Sequence, residues 1–485
     1  MGGAAGANLL FGMIRTKFAA VLIGATGVGL QASFMAILGV IAVVAGLGLQ
    51  SSAVRAIAVA VGNEDEDAIG RAVLTLSRIC WLTGLIGMAL MMIFSAQLSQ
   101  LAFGSDQYAL DIATMGIIVL LGNLSSSQLA LLQGKRRIGD MARANLYSAV
   151  LTTPVAIALY YWLNERGIVP TLVIAAALQL ILSWHFARLL TVPRISCTWL
   201  QTLKDARVMV RLGLVFMWTG LMGSAVNYFI VILITQNLNT QAVGLYSAAY
   251  LLSGVFVGFV LGAMGADYYP RITAVAHDKA ALNRLVNEQT EIGLLLAVPG
   301  LLATFAFAPW IISIFYTVEF LPAVEMLQWL ILGCLGRVLS WPLGFVMMAL
   351  GKGKWFWWSE TLANIVHIGF ALLGVLLFGL IGVTVAFFIL YIFYTIGTVL
   401  VANLLTGFVW TSNSKRLIVY TAIIFLITFI VTYTLPLWSA SLISAVILVC
   451  VSMYCLRNIV QRVGPEHAIA KIAMKIPVAK MICCA

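Results

Sequence analysis

Apolar stretches long enough to cross a membrane follow one another along almost the whole chain, separated by short polar breaks. A helix needs roughly 20 apolar residues for one crossing. Hydrophobic residues make up 62% of the 485 residues and charged residues only 9%, which excludes a soluble protein. The sequence therefore predicts an all-α membrane protein and leaves no room for a soluble catalytic domain.

The polar breaks predict about fourteen crossings. We place these crossings at about residues 4–24, 29–61, 69–101, 108–133, 142–163, 168–190, 212–237, 242–268, 282–315, 322–350, 355–377, 381–405, 416–435 and 437–459. Long crossings are expected to bend where Gly or Pro interrupts them, at Gly46-Leu47-Gly48 and near Pro299. We predict an N-terminal six-helix lobe (1–190), a cytoplasmic connector (191–211), a C-terminal six-helix lobe (212–407), an additional helix pair (408–459) and a basic cytoplasmic tail (460–485).

A weak internal repeat relates two of these crossings. A shift of 215 positions places Val28-Gly29-Leu30 on Val243-Gly244-Leu245 and Gly39 on Gly254. Both copies lie in a long apolar helix that ends in an arginine, and in the second copy Pro270 is expected to stop the helix. Repeats of this kind are common in secondary transporters. We therefore expect two lobes that are related by a pseudo-two-fold repeat around a central cavity.

The net charge of +11 is distributed as a membrane protein requires. Loops after even-numbered crossings hold most of the Lys and Arg residues, whereas loops after odd-numbered crossings hold only Arg166. Because positively charged loops stay in the cytoplasm, we predict a multi-pass protein with both termini cytoplasmic, and we expect no nucleic-acid partner.

Motifs for catalysis, nucleotide binding and metal binding do not occur in the sequence. There is no G-x-S-x-G, no P-loop and no H-E-x-x-H, and each of these chemistries needs its residues at a fixed spacing. The seven cysteines form no C-x-x-C and have no histidine at ligand spacing. We expect no catalytic residue, no cofactor and no metal site, and we predict that the protein is not an enzyme.

Four cations inside predicted crossings are candidates for binding a substrate. Arg15 and Lys17 lie about 20 Å into the first crossing at 1.5 Å per residue, which is near the bilayer midplane. Arg55 follows the Gly46-Leu47-Gly48 break, and Arg337 lies in the middle of the tenth crossing. Charge at such depth must face a polar cavity or an anion, or else the side chain snorkels to the interface. The surplus of cations over acids predicts an anionic substrate.

Asp267, Glu360 and His367 could couple transport to a proton or sodium ion. Asp267 and Arg271 are four residues apart and share a helix face, where a structural ion pair is the alternative to binding. Glu360 and His367 project from one face of the eleventh crossing. The alternatives are an ion pair between Arg337 and Glu360, and a His367 that is only hydrogen-bonded.

Four stretches resemble one known family, the Wzx-type polysaccharide repeat-unit flippases. These stretches are Ile14–Ala19 (IRTKFA), Gly24–Leu30 (GATGVGL), Gly46–Arg55 (GLGLQSSAVR) and Gly262–Arg271 (GAMGADYYPR). The resemblance covers about Leu10 to Leu405 in organisation. The sequence departs from the family in the short segment before the first crossing. The resemblance therefore does not fix the depth of Arg15 in the membrane.

The resemblance implies the multidrug/oligosaccharidyl-lipid/polysaccharide exporter fold, with two six-helix lobes and, in some members, an added helix pair. The implied substrate is an undecaprenyl-diphosphate-linked oligosaccharide, such as an O-antigen repeat unit, in a bacterial inner membrane. The cavity cations of the family correspond here to Arg15, Lys17, Arg55, Arg271 and Arg337. The expected partners are this lipid-linked glycan, the bilayer, and the polysaccharide polymerase and chain-length regulator.

The sequence thus predicts a flippase that works by alternating access, driven by a proton or sodium gradient. A drug/cation antiporter and a lipid II flippase of the same fold are alternatives. A membrane polysaccharide polymerase or ligase is a third, although such an enzyme needs a sizeable external loop and the predicted external loops are short.

Overall fold

The computed structural model describes residues 2–193 and 195–463. These residues form helices joined by turns and short loops, with no strand among them. The helices are α1 Gly2–Gly46, α2 Leu49–Gly62, α3 Glu66–Ile93, α4 Ser95–Phe103, α5 Ala109–Gly134, α6 Ile138–Leu163, α7 Ile168–Ala187, α8 Trp199–Asn237, α9 Thr240–Ala274, α10 Lys279–Ala306, α11 Ala308–Phe315, α12 Ala323–Ala349, α13 Gly353–Thr406, α14 Ser412–Thr434 and α15 Leu437–Val463, with 3-10 turns at Asn164–Gly167 and Val318–Phe320. The basic tail predicted for residues 460–485 lies outside the described residues beyond Val463.

The number of crossings agrees with the sequence-based prediction. Eleven helical segments of the described chain are long and apolar enough to cross a membrane. Three of them, with 41, 50 and 54 residues, are long enough for two crossings each. Gly24 (φ 64°), the 3-10 turn Asn164–Gly167 and Gly379 (φ 59°) divide these three. The eleven segments therefore provide fourteen spans, and the predicted all-α membrane fold is confirmed.

The predicted interruption at Gly46-Leu47-Gly48 is confirmed. Helix α1 ends at Gly46 and α2 begins at Leu49, while Leu47 (φ 48°) and Gly48 (φ 61°) adopt the left-handed conformation. The break packs against α8, because a Cβ atom on Gly48 would meet the carbonyl carbon of Gly213 at 2.8 Å. A glycine is therefore needed here for both its backbone angle and its lack of a side chain.

The helix end predicted at Pro270 is wrong, and the interruption predicted near Pro299 lies further along the chain. Helix α9 continues through Pro270 to Ala274, and α10 continues through Pro299 to Ala306. A proline inside a helix removes one hydrogen bond and can bend the helix without ending it, provided that neighbouring groups satisfy the backbone. The ninth crossing instead breaks at Phe307, with Pro309 in the first turn of α11, where the missing N–H costs nothing.

Helix α8 begins at Trp199, inside the segment predicted as the connector. A capping box starts it: the Thr198 hydroxyl accepts from the Gln201 backbone N–H at 3.3 Å, and the Gln201 side chain accepts from the Thr198 N–H at 2.9 Å. The pattern Thr-x-x-Gln is a sequence signal for a helix start. Lys204, Arg207 and Arg211 therefore lie on a helix that precedes the apolar part of the crossing.

The described chain forms two compact units. The first unit runs to Ser247 and also includes Ile314–Glu319, whereas the second covers Ala248–Ser313 and resumes at Phe320. The lobe boundary predicted at residues 191–211 concerns the sequence repeat, and it stays a prediction.

The repeat is visible in the packing of α1 against the start of α9, within the first unit. A Cβ atom on Gly29 would meet the Thr240 carbonyl group and the Gly244 nitrogen, and a Cβ on Gly244 would meet the Ala25 carbonyl group and the Gly29 nitrogen. The shift of 215 relates Ala25 to Thr240 and Gly29 to Gly244. A reciprocal contact of this kind is what a two-fold relation produces at its axis.

A buried carboxylate ties the last two helices to the second unit. Glu291 on α10 is 6% exposed. It accepts hydrogen bonds from the hydroxyls of Thr411 (3.1 Å) and Ser414 (2.6 Å) at the start of α14, and it forms an ion pair with Arg462 near the end of α15. The charge of Glu291 is therefore satisfied only when α14 and α15 pack against α10.

Candidate functional site

The first unit contains a chamber of about 660 Å³, which we call the N chamber. Its walls come from α1, α2, α3, α5, α7 and α8, and many wall positions are glycine or alanine. The polar residues of its wall are Arg15, Gln50, Ser51, Asn123 and Ser126. Asp and Glu do not occur in the described wall, so Arg15 is its charged residue.

The break between α1 and α2 shapes this chamber. Asn123, 6% exposed on α5, donates from Nδ2 to the Ala45 carbonyl at 3.3 Å and to Thr83 Oγ1 at 3.4 Å. The amide therefore satisfies a carbonyl next to the interrupted helix, as a buried polar group requires. Helix α2 restarts at Leu49, which places Gln50 and Ser51 in the wall.

Arg15 has no counter-ion within the described part of the chain. The residue is half-buried, and no acid forms an ion pair with it. Its electrostatic neighbour is Tyr160 on α6, which is fully buried. A cation inside a membrane protein costs free energy unless an anion or water compensates it. The N chamber is therefore suited to an anionic group.

The other two cations near the N-terminus lie elsewhere. Lys17 follows Arg15 by two residues, which turns its side chain roughly 200° around the helix. Its ammonium donates to the backbone carbonyl of Tyr316, and it is not a wall residue. Arg55 is exposed on α2 and also lies outside the wall. The roles predicted for both residues stay predictions.

The Lys17 contact is made by a short segment, Ile314–Glu319, which we call the strap. The strap belongs to the first unit, although the residues before and after it in the chain belong to the second. The Glu319 carboxylate accepts from the Ala25 backbone N–H at 3.2 Å and from Gln241 Nε2 at 3.3 Å. Glu319 thus caps the helix that restarts after Gly24. Sequence reasoning missed Glu319, because its partners lie far away in the chain.

The second unit contains a chamber of about 340 Å³, which we call the C chamber. It lies between α12 and the two halves of α13. Its polar wall residues are Arg337, Ser340, Glu360, Asn364, Tyr391 and Tyr394. The structure therefore brings together two residues that the sequence predicted separately, Arg337 for substrate binding and Glu360 for ion coupling.

Arg337 and Glu360 share the C chamber without forming an ion pair. The Arg337 guanidinium interacts electrostatically with Tyr391, Cys334, Tyr250 and Glu360. The Glu360 carboxylate instead accepts a hydrogen bond from the Tyr394 hydroxyl. The direct pairing that the sequence left open as an alternative is therefore not formed.

Helix α12 packs closely on the second half of α13, which carries both tyrosines. A Cβ atom on Gly333 would meet the Phe387 ring at 2.5 Å, and one on Gly336 would meet the Tyr391 Cβ at 2.8 Å. The Thr395 hydroxyl donates to the Gly336 carbonyl at 3.1 Å. The two glycines therefore allow the helices to approach until Tyr391 and Tyr394 reach the chamber.

His367, Asp267 and Arg271 lie outside both chamber walls. His367 is 7% exposed, its ring packs edge-on against Phe387 at 6.0 Å, and its Nε2 has no hydrogen-bond partner. Asp267 and Arg271 form an exposed ion pair at 3.1 Å. The structure does not bring these residues to Glu360, so their predicted roles stay predictions. Within residues 2–193 and 195–463, no cluster of His, Cys, Asp and Glu could hold a metal ion.

The chain is similar to known proteins in two ways. A family model described as "Polysaccharide biosynthesis protein" matches residues 20–325. Solved structures share the fold at low sequence identity. The structure titled "Lipid II flippase MurJ, inward closed conformation" is 14% identical with a TM-score of 0.72, over 95% of this chain and 98% of that chain.

An inward-facing multidrug resistance MATE family transporter of the MOP superfamily is 17% identical with a TM-score of 0.67, over 84% of this chain and 96% of that chain. The outward-facing conformation of such a transporter has a TM-score of 0.59 at 17% identity, over 83% of this chain and 93% of that chain. Among curated proteins, no sequence matches this chain. The structural likenesses agree with the exporter fold that the sequence resemblance implied.

Proposed function

The chain belongs to the polysaccharide biosynthesis protein family, and we propose that it is a flippase for a lipid-linked oligosaccharide. The substrate is an undecaprenyl-diphosphate-linked repeat unit, of O-antigen or a similar polysaccharide. The protein moves it from the cytoplasmic to the periplasmic leaflet of a bacterial inner membrane by alternating access. The family and the membrane-transporter fold support this proposal, and the chambers supply its chemistry.

Arg15 carries the proposal. Its guanidinium lines a chamber whose described wall has no acid, and no ion pair neutralises it. Guanidinium groups bind phosphate oxygens with two parallel hydrogen bonds. We assign Arg15 to the diphosphate of the substrate, and we assign Gln50, Ser51 and Ser126 to hydroxyl groups of the sugar.

Arg337 is the second proposed anion ligand, because it also lines a chamber without an ion pair. The exposed Arg55 and Arg271 are proposed to attract the head group at the membrane surface. Lys17 donates to the strap, and we retain it as a further proposed ligand. Glu360, together with His367 and Asp267, is proposed to carry the coupling proton or sodium ion.

The alternatives make different demands on the same chambers. A drug/cation antiporter needs acids where its cargo binds, whereas the N chamber wall presents an arginine. A polymerase or ligase needs a large external loop. The connections that the charge pattern places outside are short: Asn164–Gly167 and the two residues between α14 and α15 are examples. A lipid II flippase differs only in the sugar that its substrate carries, so it is the alternative most similar to the proposed function.

The proposal also includes the orientation of the chain in the membrane and its partner proteins. The charge pattern of the loops supports a cytoplasmic position for both termini. The product, a repeat unit in the periplasmic leaflet, is the substrate that a polysaccharide polymerase with its chain-length regulator consumes. We therefore propose these two proteins as partners.

A leaflet assay tests the proposed function. Lipid-linked repeat units are probed in spheroplasts with a membrane-impermeant glycan-modifying reagent, in cells with the gene deleted and restored. We expect deletion to leave the units synthesised but unreachable from outside, and restoration to expose them. Units that are reachable without the gene but fail to lengthen would identify a polymerase or ligase instead.

A further inference from the structure

The C chamber holds two opposite charges that form no ion pair. Arg337 and Glu360 are the charged residues among its described wall residues, and both are half-buried. Opposite charges attract strongly where water is scarce, so a direct ion pair is the arrangement expected for two such side chains in one small chamber. The structure shows no such pair. Another contact must hold the carboxylate in place.

That contact is the hydrogen bond from Tyr394. The Tyr394 hydroxyl donates to Glu360 Oε1. The tyrosine itself is well fixed, because the Thr398 hydroxyl donates to its backbone carbonyl at 2.9 Å and its ring lies edge-on to that of Tyr391 at 6.3 Å. Its hydroxyl also lies close to α12, since a Cβ atom on Gly344 would meet it at 3.9 Å. Glu360 is therefore anchored to a donor on the opposite half of α13.

We propose that Tyr394 is a positioning residue that holds the Glu360 carboxylate away from Arg337, so that the Arg337 guanidinium stays available to an anionic ligand. Without the Tyr394 hydroxyl, Glu360 turns to Arg337, and the resulting ion pair closes the anion site. The chemistry of the ligand is that of a phosphate or diphosphate group. Its identity as the diphosphate of the transported lipid rests on the proposed function.

Binding of inorganic diphosphate to the purified full-length protein in lipid nanodiscs tests this inference. The variants are Arg337→Ala, Tyr394→Phe, Glu360→Gln and the double variant Tyr394→Phe/Glu360→Gln. Tyr433→Phe, an exposed tyrosine on α14, is the matched control. If Glu360 pairs with Arg337 in nine of ten Tyr394→Phe molecules, the apparent affinity of this variant for diphosphate falls about tenfold. We expect Arg337→Ala to abolish binding at the C chamber and Tyr433→Phe to bind as the wild type does.

The double variant separates positioning from a merely structural role. If Tyr394 acts only by restraining Glu360, removing the charge of Glu360 restores diphosphate binding to the wild-type level even without the tyrosine hydroxyl. A packing defect caused by Tyr394→Phe would not be repaired in this way. Weak binding by both Tyr394→Phe and the double variant would overturn the inference, as would wild-type binding by Tyr394→Phe.

Glu360→Gln provides a test that does not depend on folding of the tyrosine variant. The amide still accepts a hydrogen bond from Tyr394 but cannot pair with Arg337, so diphosphate should bind at least as tightly as in the wild type. A clear loss of affinity in this single variant would make Glu360 part of the binding site and would overturn the inference. The leaflet assay tests the proposed function separately. Normal flipping combined with wild-type affinity in Tyr394→Phe would keep the function and reject the role of Tyr394.

Discussion

Arg15 and Arg337 differ from the other predicted cations in what surrounds them. Each is half-buried in a chamber wall and has no ion pair in the described chain. Arg271 is paired with Asp267 at the surface, and Lys17 donates to a carbonyl 299 residues away. A charge within an apolar run can be recognised in the sequence. Whether that charge is neutralised depends on residues distant in the chain.

The first prediction concerns Arg15. Replacing it with Ala should reduce translocation of lipid-linked units about tenfold or more, since a hydrogen bond to a charged group contributes about 1.5–3 kcal/mol. Arg15→Lys should retain part of the activity, because it keeps the charge but loses the paired donors. The leaflet assay measures both. Arg166→Ala, at an exposed turn, serves as control and should flip normally. Normal translocation by Arg15→Ala would remove the basis of the proposal.

Helix interruptions follow backbone chemistry more closely than they follow the positions of proline. The breaks at Gly24, Gly48 and Gly379 all use positive φ angles that glycine adopts without strain. By contrast, Pro270 and Pro299 lie inside continuous helices. The break at Gly48 also lies in the wall of the N chamber.

A matched pair of glycines tests the break beside the N chamber. Gly48→Ala combines an unfavourable φ of 61° with a collision against the Gly213 backbone, so we expect a loss of stability above about 2 kcal/mol. Gly104→Ala has a similar φ of 68° but meets no atom within 4 Å, so it should lose only about 1 kcal/mol. Thermal unfolding in detergent compares the two. Equal losses would show that the contact with α8 contributes nothing.

The strap provides a second prediction about an element. Glu319→Ala removes the carboxylate that caps the helix starting at Ala25, and loss of a cap costs about 1 kcal/mol. We therefore expect a lower unfolding temperature and faster hydrogen exchange at the amides after Gly24. Glu325→Ala, in the first turn of α12 and exposed, is the control. Unchanged exchange at Ala25 in the Glu319 variant would contradict the proposed cap.

The two compact units are each built around helices that are held by buried polar contacts as well as by apolar packing. In the first unit, the glycines of the repeat let α1 and α9 touch at their backbones. In the second, Glu291 joins α10 to α14 and α15. The additional helix pair therefore packs within the second unit, and Glu291 is its charged attachment beside ring contacts such as Phe305–Phe425 and Trp310–Trp438.

Removal of Glu291 tests this attachment. Breaking a buried ion pair by deleting one partner costs about 3–5 kcal/mol, so Glu291→Ala should unfold at a markedly lower temperature and become sensitive to proteases near Gly407–Thr411. Glu288→Ala removes an exposed carboxylate from the same helix and should be nearly neutral. Similar proteolysis of both variants would show that the Glu291 cluster does not hold α14 and α15.

The amino-acid sequence alone predicted the membrane class, the fourteen spans and the repeat, and it marked Arg15 and Arg337 among five candidate cations. These conclusions depend on local hydrophobicity and on charges that stand out within it, and both can be read along the chain. The partners of those charges came from the folded chain: Tyr316 for Lys17 and Tyr394 for Glu360, whereas no acid of the described chain pairs with Arg15. Such pairings depend on which helices pack together, and a helix surface in lipid offers few sequence signals for its neighbours. The tertiary structure therefore determined which arginines remain available to an anion.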